Sequence, residues 1–209
     1  SLVNPKVDRL VAAARHATGS LFLVSDANVR ASAPALLEVL ERFEDERVGI
    51  VSTPFVAAGA LDLGARLEAL HLLTFVLTGS ALAASADIPC VVGKSMAVRR
   101  DLLERAGGFE AFLGVLAEDQ ALGLAMKRLG ARVLLGSEVV ENVVVRRPLR
   151  RALARQVRWN KLRFSFSRSL YLGELLLNPF GVAVLALASA SLLAAERLAS
   201  VAAAALLVA

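Results

Sequence analysis

The spacing of apolar residues predicts that helices and short strands alternate at the start of the chain. After Asn4-Pro5, apolar residues recur at helical intervals until Gly19, and residues 21–24 then form an unbroken apolar run that ends at Ser25-Asp26. Proline behind a capping residue is typical of a helix start, and a short apolar run is typical of a buried parallel strand. We therefore predict a helix closed by Gly19, followed by a buried parallel strand.

The same alternation continues along the first two thirds of the chain. The hydrophobic pattern predicts strands at 48–51, 90–98 and 132–135, and helices at 33–46, 59–84, 100–106 and 118–129. Strands that alternate with helices are typical of an α/β domain. We predict such a domain over residues 1–145.

The end of the chain has a different pattern. Residues 175–195 carry no charge, and Asn178 and Pro179 are placed as the N-cap and the first residue of a helix. Residues 179–195 would form about 25 Å of helix, which is the short end of a membrane span. Only Ser189 and Ser191 interrupt this run. We expect a transmembrane or deeply embedded segment within residues 174–209.

Composition agrees with a membrane protein. The chain is 56% hydrophobic and 21% charged, whereas an average soluble domain is about 45–50% apolar. This composition excludes a disordered chain, a collagen-like chain and a nucleic-acid-binding tail. One cysteine, Cys90, excludes an internal disulfide framework. Because the chain begins with Ser1 and ends inside an apolar run, we expect it to be part of a longer protein.

The basic residues are concentrated in one segment. Nine of the 24 lysines and arginines lie within residues 146–168, where there is no acid. Such a run is compatible with nucleic-acid binding, but an apolar segment follows it directly. Basic residues before a membrane span indicate a cytoplasmic location of the preceding domain, and anionic lipids attract them. We therefore predict a basic interfacial helix over 146–173.

Two acidic positions are candidates for chemistry. Asp26 ends a predicted strand, with Asn28 two residues on, and ligands of open α/β sheets bind beyond the carboxyl ends of strands. A carboxylate there can hold Mg²⁺ or Mn²⁺ against the phosphates of a nucleotide, although the same residues are common in turns. Glu118 and Asp119 begin a helix, where an acid can be a capping residue or a general base.

The third candidate is the segment Arg155-Gln156-Val157-Arg158-Trp159. On a helix, Arg155 and Arg158 lie one turn apart on one face, and Trp159 lies four residues from Arg155. Two guanidinium groups can bind a diphosphate, and an indole ring can pack at a membrane interface. The alternative is a basic interfacial helix with an aromatic anchor.

Taken together, these motifs resemble the membrane-bound family-two glycosyltransferases, and more narrowly the ceramide glucosyltransferase-like branch, which includes bacterial hopanoid glycosyltransferases. The residues that carry the resemblance are Asn4-Pro5-Lys6-Val7, Ser25-Asp26, Val92-Gly93-Lys94-Ser95-Met96, Arg99-Arg100-Asp101, Gly107-Gly108-Phe109, Ala117-Glu118-Asp119 and residues 155–159. The likeness covers most of the chain.

The resemblance implies a GT-A-like (Rossmann-like) fold and an inverting transfer of a sugar from a nucleotide-diphosphate sugar, UDP-glucose or UDP-N-acetylglucosamine, to a lipid hydroxyl. It implies a divalent metal at Asp26 and a catalytic base at Asp119. It also implies substrate binding by Glu118 and by four residues of the basic segment: Arg155, Gln156, Arg158 and Trp159. The partners implied are the sugar donor, a ceramide- or hopanoid-like lipid and the membrane, with no nucleic acid. The location implied is the bacterial inner membrane, with the catalytic domain on the cytoplasmic side.

Two departures and two alternatives accompany this interpretation. Asn28 stands where many relatives have a second aspartate, and we expect this chain to lack the first βαβ unit of the fold. A processive membrane polysaccharide synthase has the same acids and (Q/R)xxRW motif, and a degenerate domain could act as a membrane scaffold. Residues 61–82 can be a surface for the lipid acceptor or part of the core, and both alternatives stay open.

Overall fold

The computed structural model describes residues 3–177 and 179–208, and its elements alternate as the apolar pattern predicts. Its seven strands are β1 (Leu21–Ser25), β2 (Val29–Arg30), β3 (Val48–Ser52), β4 (Phe55–Ala58), β5 (Ser95–Arg99), β6 (Arg132–Leu135) and β7 (Val140–Val143). The helices of the first half are α1 (Pro5–Ala14), α2 (Ala33–Arg42), α3 (Leu63–His71) and α4 (Thr78–Ser85), with a π-helical segment, Leu72–Leu77, that joins α3 to α4. The later helices are α5 (Arg100–Arg105), α6 (Glu118–Arg128), α7 (Leu149–Phe166), α8 (Arg168–Leu177) and α9 (Pro179–Val208), with a short 3₁₀ helix at Phe109–Phe112.

The strands form two sheets. The first has the order β1-β5-β3-β6, and in it β5 is antiparallel to both β1 and β3, while β3 and β6 are parallel. The second has the order β2-β7-β4. The prediction that residues 21–24 form a parallel strand is wrong, because β1 is hydrogen-bonded to the antiparallel β5. The predicted burial holds only in part, since Val24 is buried and Leu23 is exposed. A continuous apolar run does not report the direction of the neighbouring strand.

The predicted strand at 90–98 is shorter in the structure. It begins at Ser95, because the residues before it bond to side chains instead of a neighbouring strand. The Val91 N–H donates to Gln120 Oε1 (3.1 Å), and the Val92 N–H donates to Ser52 Oγ (3.0 Å). Residues 90–94 are therefore a loop that lies against the start of α6.

Apolar side chains cover both faces of the first sheet. One cluster joins α1, α5 and α6 to the sheet through residues such as Val7, Ile50, Leu103 and Met126. A second cluster joins α2 to the other face and includes Val39 and Val51. This helix–sheet–helix layering is the α/β architecture that the sequence predicts.

The chain divides into two compact units, Ser1–Leu162 and Arg163–Ala209. The second unit contains α9, which begins at Pro179 as predicted and continues through Glu196 and Arg197. The predicted N-cap of this helix, Asn178, and the last residue of the predicted membrane segment, Ala209, lie outside the described residues. Within the part of the chain that the structure describes, one helical stretch, Leu63–Ser85, is long and apolar enough to cross a membrane by length and composition.

Candidate functional site

The site is built where the start of α1 meets the start of α6. The Asn4 carboxamide oxygen accepts a hydrogen bond from the Lys6 N–H (3.0 Å) and so caps α1. Its amide nitrogen donates to Glu118 Oε2 (3.0 Å) and to the Val115 carbonyl (2.8 Å). One asparagine therefore fixes the first turn of α1 against the Glu118-Asp119 pair.

Lys6 lies among the acids. Its ammonium donates to the Gly93 carbonyl (2.7 Å) and lies 3.0 Å from Glu118 Oε1 and 3.6 Å from Asp26 Oδ1. Burial lowers the pKa of Lys6, but Glu118, Asp26 and Asp119 outweigh burial and raise this pKa above its ordinary value. Lys6 therefore holds a positive charge between the two acidic positions. The sequence analysis did not assign it a role, although it belongs to the Asn-Pro-Lys-Val motif.

Asp26 and Asn28 converge on a second lysine. Lys94 Nζ lies 2.8 Å from Asp26 Oδ2 and 3.1 Å from Asn28 Oδ1. The Asn28 amide nitrogen donates to Asn142 Oδ1 (2.8 Å) and to the Val143 carbonyl (3.2 Å), which directs its oxygen toward Lys94. The Lys94 ammonium thus marks a cation position between two side-chain oxygens.

This position fits the predicted divalent metal. Oxygen ligands from one or two carboxylates, completed by phosphate oxygens of a substrate, are typical of Mg²⁺ sites. Asp26 and Asn28 offer two such oxygens once Lys94 moves aside. Among the described residues, no cluster of three His, Cys, Asp or Glu side chains could hold a metal, so a bound nucleotide would have to supply further ligands.

Asp119 is half-buried at the start of α6. Its Oδ2 accepts a hydrogen bond from the Gly93 N–H (2.7 Å), and its Oδ1 accepts one from the Gln120 N–H (2.8 Å). Burial raises the pKa of Asp119, and the charge of Glu118 raises it further, against the lowering effect of both N–H groups and of Lys6. A carboxyl with a raised pKa at a fixed position is suited to accept a proton.

Gly93 allows the loop before β5 to pass between Lys6 and α6. A Cβ at this position would lie 2.7 Å from Lys6 Nζ and 3.0 Å from Asp119 Cβ. The lysine can bend away, but Asp119 Cβ is fixed to the helix backbone. A glycine therefore favours the 2.7 Å hydrogen bond between the Gly93 N–H and Asp119, because a side chain here would crowd both neighbours.

A buried carboxylate holds Arg155 from the predicted (Q/R)xxRW segment. Glu68 of α3 has a side chain that is 4% exposed, and its Oε1 lies 3.3 Å from Arg155 Nε while its Oε2 pairs with Arg147. The Arg155 guanidinium also lies over the Trp159 ring, 5.0 Å from the ring centroid. Sequence analysis missed Glu68. The available signal was an acid in the mainly apolar stretch at 59–84, together with an acid-free basic segment.

The charge of Arg155 affects the pKa of Lys94, and the charge of Asp26 affects the pKa of Arg155. Burial lowers the pKa of Arg155, and among the opposing charges are Glu68 and Asp26. Burial also lowers the pKa of Lys94, and the positive charge of Arg155 adds to this effect. The charge of Arg155 therefore acts on the same group of residues as the charges of Asp26 and Lys94.

The remaining residues of the segment have different surroundings. Trp159 packs against the buried cluster that contains Leu72 and Val76, and its ring meets the His71 ring edge-on at 6.3 Å. Gln156 is half-buried and Arg158 is exposed on α7. Arg158 lines an open groove of about 380 Å³ together with Leu116, Ala154, Val157, Lys161 and Leu162.

Comparison with known proteins shows a family that matches this chain. The sequence model of glycosyl transferase family 21 matches residues 2–209. Ceramide glucosyltransferase 3 from Caenorhabditis elegans is 25% identical over 183 residues, which is 85% of this chain and 39% of the relative. The chain thus spans about two fifths of the length of that relative.

A solved structure has the same fold. The mannosyltransferase PcManGT from Pyrobaculum calidifontis, in complex with GDP-Man and Mn²⁺, is 25% identical, with a TM-score of 0.51 over 97% of this chain and 60% of that one. The GT-A-like fold implied by the resemblance is therefore confirmed.

Proposed function

Because this chain belongs to glycosyl transferase family 21, we propose that the protein transfers a sugar from a nucleotide-diphosphate sugar to a lipid hydroxyl, with inversion at the anomeric carbon. The donor we propose is UDP-glucose or UDP-N-acetylglucosamine, and the acceptor is a ceramide- or hopanoid-like lipid. The similarity to a ceramide glucosyltransferase supports the lipid acceptor. The similarity to a mannosyltransferase in complex with GDP-Man supports the nucleotide-sugar donor.

The observation that carries the proposal is the environment of Asp119. Its carboxylate is fixed by the N–H groups of Gly93 and Gln120, and burial raises its pKa. A lipid hydroxyl is a weak nucleophile at neutral pH, and a positioned base contributes typically 10²–10⁴-fold to such a step. As the hydroxyl oxygen bonds to the anomeric carbon, its proton passes to Asp119. The bond from that carbon to the diphosphate breaks, and the diphosphate leaves with the electron pair.

Cationic side chains stabilise the negative charge on the leaving diphosphate. Lys94 and Lys6 form ion pairs with Asp26, and Arg155 forms an ion pair with Glu68. Preorganised charges of this kind lower the barrier because they act where charge develops in the transition state. Arg158, one turn from Arg155 and exposed on α7, is free to turn toward the donor. Glu118, Gln156 and Trp159 complete the substrate-binding set that we propose.

Asp26 and Asn28 would hold a divalent metal when one is bound with the donor. Such an ion supplies Lewis-acid stabilisation of phosphate oxygens. The Mn²⁺ in the related mannosyltransferase structure supports this assignment. The ammonium of Lys94, which lies against both oxygens, would then turn to the diphosphate.

We also propose that the protein is integral to the membrane. The apolar helix α9 and the basic residues of 146–168 support a catalytic domain on the cytoplasmic side of a bacterial inner membrane. In this arrangement residues 1–145 form the catalytic domain, 146–173 the interfacial helix and 174–209 the membrane segment. The donor is then delivered from water to a lipid that stays in the bilayer.

The direct test is a donor screen on membranes from cells that express the complete protein. Each nucleotide sugar is supplied with native lipids, and products are identified by mass spectrometry against membranes without the protein. We expect one donor to yield a glycosylated lipid. The proposal fails if no donor gives a product while calorimetry also detects no nucleotide-sugar binding, since a scaffold would then explain the protein better. A long polysaccharide product would instead support a processive synthase.

A further inference from the structure

The helical stretch Leu63–Ser85 could cross a membrane by length and composition, but its connections exclude this. It follows β4 and precedes β5, and β5 is hydrogen-bonded between β1 and β3 in the first sheet. Both ends of the stretch therefore return to the same compact unit, Ser1–Leu162. A membrane span here would have to separate strands that fold together.

One side of this stretch belongs to the core and the other does not. Leu72, Phe75 and Val76 are buried, at 1%, 7% and 2% exposure. Leu72 and Val76 pack in a cluster with residues of the second sheet. The opposite side presents leucines at helical spacing. We call these leucines, together with Leu61 just before the N-cap Asp62, the leucine ridge. Its members are Leu61, Leu63, Leu67, Leu70 and Leu73, which are 41–63% exposed.

The ridge continues into the basic helix α7. The Leu61 N–H donates to the Val145 carbonyl (2.9 Å), and the Asp62 carboxylate accepts the Arg147 N–H (2.9 Å). A Cβ on Gly64 would overlap the Arg147 carbonyl, so the two segments are in close contact. Exposed apolar side chains also extend along α7, at Leu149, Leu153 and Val157.

The positive charge beside the leucine ridge indicates the kind of surface that it contacts. Arg146, Arg150 and Arg151 are exposed beside the apolar side chains, and residues 146–168 contain no acid. An apolar face bordered by arginines is typical of a helix that lies in the plane of an anionic membrane surface.

We propose that the leucine ridge and the first turns of α7 dock into the headgroup–acyl boundary of an anionic leaflet. The stretch Leu63–Ser85 then lies in the membrane plane and does not span the bilayer. Glu68, which holds Arg155, is on the same helix, so the docking surface and the cationic site share one rigid element. This inference rests on the membrane location proposed above and not on the transfer reaction.

Depth-dependent fluorescence quenching tests the proposal. The complete protein, with Cys90→Ser, receives a single cysteine by Leu70→Cys or, as a second position, Leu63→Cys, and an environment-sensitive dye is attached. It is reconstituted in phosphatidylcholine vesicles that contain phosphatidylglycerol and lipid quenchers placed either near the headgroup or at the bilayer centre. The control is Glu46→Cys, in the exposed turn before β3. Because β1 and β3 run in the same direction, this turn lies at the end of the sheet opposite to Asp26.

We expect the shallow quencher to reduce emission at both ridge positions more strongly than the deep quencher. The control dye should stay in water, and omission of phosphatidylglycerol should weaken quenching at the ridge. Stronger quenching by the deep lipid would overturn the proposal in favour of a span. Absence of quenching at both positions would overturn it in favour of a protein-covered surface, such as a second copy. Ridge quenching without sugar transfer would leave this inference standing and contradict the proposed reaction.

Discussion

Substitution of Glu68 tests whether its ion pairs position Arg155 and stabilise the fold. The substitution Glu68→Gln keeps the shape of the side chain but removes the charge that Arg147 and Arg155 share. Glutamine can pair with neither guanidinium as an ion. The guanidinium groups of Arg147 and Arg155 would then both lose the negative charge of Glu68.

The magnitude follows from burial. Loss of one partner of a buried ion pair costs about 3–5 kcal/mol. Here the carboxylate is 4% exposed, but the arginine side chains are 26% and 24% exposed and partly hydrated. We therefore expect a loss of about 2–3 kcal/mol, below the range for a fully buried pair, which corresponds to a fall in Tm of about 4–12 °C for a domain of this size.

The assay combines thermal unfolding of the complete protein in detergent with steady-state kinetics. If Glu68 positions Arg155, a displacement of the guanidinium by about 1 Å lowers turnover roughly 10²-fold. The matched control is Glu104→Gln, whose carboxylate is 65% exposed and lies 3.9 Å from Arg100. An exposed pair of this kind contributes at most about 1 kcal/mol. Equal Tm and equal turnover for Glu68→Gln and the wild type would refute the positioning role.

Three further predictions concern the cation position, the base and the basic helix. Manganese binding measured by electron paramagnetic resonance should tighten in Lys94→Gln, because the lysine and the metal compete for the same oxygens, and should weaken in Asp26→Asn, because the metal loses a carboxylate ligand. Unchanged manganese binding in both variants would contradict the metal assignment. Because burial raises the pKa of Asp119 and only the ionised form accepts a proton, kcat/KM should fall as pH drops through a pKa above the ordinary 3.8, and a limb at or below that value would contradict this role. Arg158→Lys should lose most activity, since lysine lacks the planar guanidinium, whereas Arg150→Ala should lose little. Activity of Arg158→Lys equal to that of the wild type would mean that a positive charge suffices at this position.

The sequence predicted the elements of the first sheet better than those of the second. Residues 48–51 and 132–135 have apolar runs that the structure confirms as β3 and β6. In the second sheet, β4 was not predicted although residues 55–58 form an apolar run. The strands β2 and β7 were missed because β2 has two residues and β7 contains Glu141 and Asn142. Strands this short and polar owe their structure to pairing with distant residues, which a local pattern does not report.

The candidate site shows the same division. Asp26, Asn28 and the Glu118-Asp119 pair were predicted from their positions at element ends, and the structure brings them together around Lys6 and Lys94. The roles of the lysines and of Glu68 depend on contacts between residues far apart in the chain, such as Lys6 with Gly93. No spacing rule covers such pairs.

The proposed reaction depends on Asp119 as the general base of glycosyl transfer. The most direct measurement is the turnover of Asp119→Asn in the complete protein at saturating donor, with the donor Kd determined in parallel by calorimetry. We predict a loss of roughly 10²–10⁴-fold in turnover and a donor Kd close to that of the wild type. Turnover near the wild-type value would contradict the role of Asp119 as a base, since Asp119 would then only accept the hydrogen bonds of Gly93 and Gln120.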